Sequence, residues 1–135
     1  MNHRFRWTVL AICVLPAIAA PAAERLVPGQ WHFAMTTAGE TRNLEQCITA
    51  AKAAEVNGDS KSGREAAEKN AKGRCSIDAY DIAGDEVSYT LACGDRVLRS
   101  VTTFKGDRSS GSLVTTANGK TTATAIVAQR VGACP

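Results

Sequence analysis

Glycine-bearing turns cut the second half of the chain at intervals that only strands can fill. Gly84-Asp85, Cys93-Gly94-Asp95, Lys105-Gly106-Asp107 and Asn118-Gly119 punctuate runs of about ten residues. Within the runs, apolar side chains recur every second residue, which places them on one face of a pleated strand. Cys75, Ile77 and Ala79 share one such face. Val87, Tyr89, Leu91 and Cys93 share the next, and Ala123, Ala125, Val127 and Val131 a later one. Residues 97–104 are β-branched and Thr-rich, and Asn118-Gly119 is the strongest short hairpin signal, because both of its central positions need positive φ. Upstream, Trp31, Phe33 and Met35 alternate with Gln30, His32, Ala34 and Thr36, opening at Pro28-Gly29. Ala38-Gly39-Glu40 turns that run into a second strand reaching Cys47. Short turns join antiparallel neighbours, whereas parallel pairing requires long crossovers. The expected fold is mainly β, a β-rich α+β domain. It is a strongly curved antiparallel meander sheet or incomplete barrel of about seven strands, with a short helical insertion. A flat sandwich is the alternative.

The insertion is residues 49–72, rich in Ala, Lys and Glu. Ser62-Gly63-Arg64-Glu65 fits a capping box at a helix start, and Gly73 fits a helix end. Asn57-Gly58-Asp59-Ser60 before it is loop chemistry. Only Ala66, Ala67 and Ala71 form an inward face, so the segment is expected to dock loosely.

The N-terminus predicts export. His3, Arg4 and Arg6 precede an uncharged run, residues 7–20, that falls short of the roughly 20 apolar residues of a bilayer span. Ala20-Pro21-Ala22 then offers the small-residue pattern of a signal peptidase site. The expected organisation is a signal peptide at 1–22, a cut between Ala22 and Ala23, and one domain at 23–135. The expected location is the periplasm, or outside the cell, with no membrane span left after cleavage. Cys13 belongs to the removed segment. The cysteines that remain are Cys47, Cys75, Cys93 and Cys134, an even set in a small exported domain, which predicts two disulfides with three possible connectivities. No C-x-x-C spacing is present, and His32 lies far from all four in sequence, so neither a metal site nor a redox pair is expected.

Composition excludes further classes. The chain of 135 residues is 44% apolar and 21% charged, a globular balance. Its formal charge of +3 falls to +1 once Arg4 and Arg6 are set aside, which leaves no nucleic-acid footprint. Aromatics are 5% of the chain, too few for a stacking platform.

Pro28-Gly29-Gln30-Trp31, Cys47, the Cys75 and Cys93 hairpin and the closing Val131-Gly132-Ala133-Cys134 resemble an exported bacterial family, the domain of unknown function DUF3617. The resemblance spans almost the whole chain after the leader. It implies a small, periplasmic, disulfide-stapled β-rich protein, and it brings no catalytic residues with it.

No enzyme is expected from the residues themselves. After the leader, His32 is the only histidine, on the polar side of its strand, where a general base would need partners. Asp78 with Asp81 and Asp85 with Glu86 sit where turns are ordinarily acidic. Ser109-Ser110-Gly111-Ser112 lacks the G-x-S-x-G of a nucleophile elbow, and Asn57-Gly58-Asp59-Ser60 lacks the spaced ligands of a calcium loop. No catalytic, cofactor-binding or metal-binding residue is assigned, and no cofactor is expected. The remaining expectation is non-covalent binding of a small apolar or peptidic ligand, or of an envelope protein. Trp31, Phe33, Met35, Tyr89 and Leu91 are the candidate ligand face, with residues 49–72 as its lid. Residues 87–104 resemble, over one hairpin, the exported C-type lysozyme inhibitors, which supplies the alternative of a protein inhibitor. A structural envelope protein without ligand is the third reading. A lined cavity would favour the first, and a filled interior with a protruding loop the second.

The strand register selects the disulfides. With a three-residue loop Ala83-Gly84-Asp85, Ile82 opposes Glu86, Ala79 opposes Tyr89, Ile77 opposes Leu91 and Cys75 opposes Cys93. Opposed β-carbons are about 4.5–5.5 Å apart, close to disulfide geometry. Cys47 is then left to pair with Cys134.

Overall fold

The computed structural model describes residues 24–135. The expected signal peptide, Cys13 and the Ala22–Ala23 cleavage site lie outside the described residues. Seven strands form one antiparallel sheet. They are β1 (Gly29–Thr37), β2 (Glu40–Ile48), β3 (Ser76–Ala83), β4 (Glu86–Cys93), β5 (Arg96–Phe104), β6 (Arg108–Ala117) and β7 (Lys120–Gly132). Their order is β2-β1-β7-β6-β5-β4-β3, so the sheet stays open, with β2 and β3 as its edges. Five of the strands follow one another as a meander from β3 to β7, and the β1–β2 hairpin joins at the β7 side. The fold is mainly β with a short helical part, as the periodicity predicts. Asn118 and Gly119 both take positive φ, 50° and 71°, the geometry that suits a tight hairpin to the twist of its strands.

Two helices interrupt the strands where one was expected. They are α1 (Ala50–Asn57) and α2 (Ser60–Ala71). Thr49 caps α1 by accepting from Lys52 N–H. The capping box of α2 lies three residues upstream of the Ser62–Glu65 box expected from the sequence. Asp59 Oδ1 accepts from Ser62 N–H at 2.7 Å, and Ser62 Oγ accepts from Asp59 N–H at 3.1 Å. The ionised Asp59 is the stronger acceptor, so it takes the cap and Ser62 becomes its partner. Lys72 and Gly73, with φ of 50° and 72°, end the helix where Gly73 predicted.

The insertion is not loosely docked. Asn57 exchanges two hydrogen bonds with the Leu26 backbone, each 2.9 Å. Arg25 donates to the Val56 and Gly58 carbonyls at the end of α1, and through Nε to the Gly84 carbonyl of the β3–β4 turn. Under α1 lies the core, made of Leu26, Trp31, Ile48, Ala53 and Ala128, with Phe33, Val56 and Phe104 packed against it. Trp31 is completely buried, and its indole N–H donates to the Val27 carbonyl at 3.0 Å.

Two face assignments change. On β7, Val127 and Val131 are 60% and 57% exposed, and Ala123 and Ala125 are also exposed. The inner residues are Ile126 and Ala128, which oppose Met35 and Phe33 of β1. Pairing with β1 fixes that register, and in a run of small side chains periodicity alone does not. On β3, the turn is the two residues Gly84-Asp85, so Ala83 opposes Glu86 and Tyr80 opposes Tyr89. Ala79 faces outward and Tyr80 inward, because a buried tyrosine ring removes far more apolar area from water than an alanine methyl. A bulge between Ile77 and Ala79 then shifts the register by one, so Ile77 does meet Leu91. Cys75 thus still arrives beside Cys93. The structure bonds Cys75 to Cys93 and Cys47 to Cys134, with Cα–Cα distances of 4.2 and 5.3 Å.

Candidate functional site

Tyr80 and Tyr89, side by side on β3 and β4, have rings tilted only 11° from parallel with centroids 6.2 Å apart. Leu91 lies two residues further along β4 on the same inner face. Above them runs α2. Its Gly63 is buried against Tyr80, where an added β-carbon would sit 2.5 Å from the ring. Glycine therefore lets the start of α2 close onto the sheet. Ala66, Ala67 and Ala71 follow on the same side of the helix, and their short side chains leave space over the strands. The result is a cavity of about 520 Å³ between α1, α2, β3 and β4, within the size range of small-molecule sites.

The cavity is lined mainly by Val56, Ala66, Ala67, Ala71, Tyr80, Tyr89 and Leu91, with Glu55, Asn70 and Arg74 as its polar members. Asn70 Nδ2 donates to Glu55 Oε2 at 3.2 Å and so fastens α2 to α1. Arg64 of α2 donates to the Ile77 carbonyl at 2.6 Å, and Ser60 Oγ accepts from Ile82 N–H at 2.9 Å. Burial pushes the Tyr80 phenol above its ordinary value, and the neighbouring Tyr89 and Glu55 add to the shift while Arg25 opposes it. Tyr80 is accordingly a neutral hydroxyl at physiological pH. The Cys75–Cys93 bridge borders the cavity, Cys75 being part of its wall.

The five residues of the expected ligand face all lie on the inner face of the sheet, but they do not form one surface. Register places β7, β6 and β5 between the two groups. Tyr89 and Leu91 floor the cavity. Trp31 is core under α1 with no exposure, and Phe33 packs beside it at a centroid distance of 6.3 Å. Met35 is half-buried between Arg42 and Ile126, away from the cavity. Trp31 belongs to the core because it is buried in one cluster with Leu26, Ile48 and Ala53 of α1, a grouping that strand periodicity cannot foretell. Tyr80, missed in the sequence, becomes visible once the β3–β4 turn is given two residues.

Elsewhere, His32 is exposed and hydrogen-bonds Asn43 Oδ1 at 3.1 Å. Among the described residues, no three His, Cys, Asp or Glu side chains cluster to hold a metal, and no helix is long and apolar enough to cross a membrane. The Gly106 loop is stitched to the N-terminal segment by Val27 N–H to Gly106 O at 3.0 Å and Gly106 N–H to Arg25 O at 2.9 Å. The Gly94-Asp95 turn is only two residues long.

An open antiparallel sheet, stapled twice and roofed on one side by a helix pair over a lined cavity, defines the structural class. The family model described as Protein of unknown function (DUF3617) matches residues 26–134, and the chain belongs to that family. No curated protein and no solved structure matches it.

Proposed function

We propose that the protein is an exported, periplasmic binding module without catalytic activity, which holds a small apolar ligand between α2 and the β3–β4 hairpin. The observation that carries this reading is the lined cavity of about 520 Å³ beneath the helix pair. Two structural disulfides support export, since such bonds persist in oxidising compartments. Among the described residues, the hairpin turns are two residues long and the Gly106 loop is pinned to the N-terminal segment, which supports a small ligand over a protein inhibitor.

The test is binding of the fluorescent apolar probe N-phenyl-1-naphthylamine to the purified protein. Saturable binding is expected, and Leu91→Trp should abolish it by filling the cavity while the circular dichroism spectrum stays unchanged. Equal binding by wild type and a folded Leu91→Trp variant would refute the site. Mass spectrometry of the envelope protein should find Ala23 as its first residue; an intact Met1 would refute export by cleavage.

A further inference from the structure

We infer that the ligand of this cavity is a medium-chain alkyl monocarboxylate, its chain against the alanine side of α2 and its carboxylate at Arg74; this rests on the binding reading above. Val56, the α2 alanines and Leu91 make up the aliphatic part of the wall. Its polar members are unequally occupied. Among the described residues, no hydrogen bond or ion pair engages the Arg74 guanidinium, the Tyr80 hydroxyl or the Tyr89 hydroxyl. All three can donate, and guanidinium can do nothing else. The one carboxylate in the wall, Glu55, already accepts from Asn70. The wall thus offers three unengaged donors, the cationic one exposed at Arg74, while Glu55 has one of its oxygens met by Asn70, and the complementary ligand head is an anionic acceptor. A carboxylate is the group that matches guanidinium in charge and in its paired geometry. The neutral Tyr80 phenol remains a donor to that head across the physiological range.

Glu55 is the opposing charge, and it makes the rival outcome explicit. If Glu55 governed the head group, a cationic amphiphile would bind instead. Calorimetric titration of the purified protein with decanoate and decyltrimethylammonium below their micellar concentrations, and with decanol below its solubility limit, separates these cases. Decanoate should bind about tenfold more tightly than decanol, the effect expected of one charge-assisted hydrogen bond. Arg74→Gln should lower decanoate to the decanol level and leave decanol unchanged, and Glu55→Gln should keep the preference for the acid. Equal affinity for acid and alcohol, or preference for the cation, would overturn the head-group assignment while leaving the cavity reading standing. Failure of all three probes to bind would overturn both.

Discussion

Trp31 and Gly63 show how differently two buried positions bear on this molecule. Trp31 fills the centre of the core and satisfies its indole N–H on Val27, so Trp31→Ala should cost about 3–5 kcal/mol, measurable by urea unfolding. The cavity under α2, beyond the core, should stay intact in whatever fraction remains folded. Gly63 is buried because α2 crosses Tyr80 closely. An alanine methyl there meets ring atoms at the far end of a side chain that borders open space, so the ring can swing into the cavity. The helix meanwhile gains up to about 1 kcal/mol of propensity. Gly63→Ala should therefore leave stability within about 1 kcal/mol of wild type and weaken binding of N-phenyl-1-naphthylamine; unchanged binding would contradict this packing account. Trp31 was legible as an inward residue because its alternating run is unbroken. Arg25 was not, because its partners at Val56, Gly58 and Gly84 are 31, 33 and 59 residues away and share no local pattern with it.

At the scale of elements, α2 is the segment whose N-terminal cap depends on charge. The Asp59 carboxyl is held below its ordinary value, first by the Ser62 N–H and then by the Ser62 side chain. A lowered folded value means that the stabilisation is complete above the unfolded carboxylate value of about 3.9 and is lost as pH falls through the folded one. Asp85, held low by its hydrogen bond from Lys105, follows the same sign. Amide exchange should therefore show α2 loosening below about pH 4 while the central strands stay protected. Asp59→Asn keeps a capping acceptor without the titration, so it should remove the α2 part of that response and leave the Asp85 part. The strands and their turns were legible because period-two runs between glycine turns carry a local signal. The β3 face was not, because turn length and the bulge near Asp78 are settled by pairing across two strands. The same applies to β7, whose inward set follows β1 rather than its own alternation. Half of the candidate site was therefore visible, Tyr89 and Leu91 with the α2 alanines, and Tyr80 was hidden by a one-residue difference in a turn.

The whole molecule is an open sheet closed by covalent and helical ties. Cys47–Cys134 spans 87 residues and fastens the chain end to the edge hairpin, whereas Cys75–Cys93 spans 18 within one hairpin. Chain entropy assigns about 4.5 kcal/mol to the first and about 3 kcal/mol to the second. Replacing Cys47 and Cys134 together by serine should thus lower the unfolding free energy more than replacing Cys75 and Cys93; the reverse order would show that native packing, not loop length, sets their worth. The second pair has a further consequence, since Cys75 walls the cavity and lies four residues past Ala71, the end of α2. Its removal should weaken probe binding, which loss of the first pair should spare. The central claim is that the space beneath α2 is where a ligand goes. Amide chemical-shift mapping with N-phenyl-1-naphthylamine tests it most directly. Shifts concentrated at Ala67, Ala71, Tyr80, Tyr89 and Leu91 are predicted, and shifts centred instead on the exposed Val127 and Val131 of the outer face would contradict it.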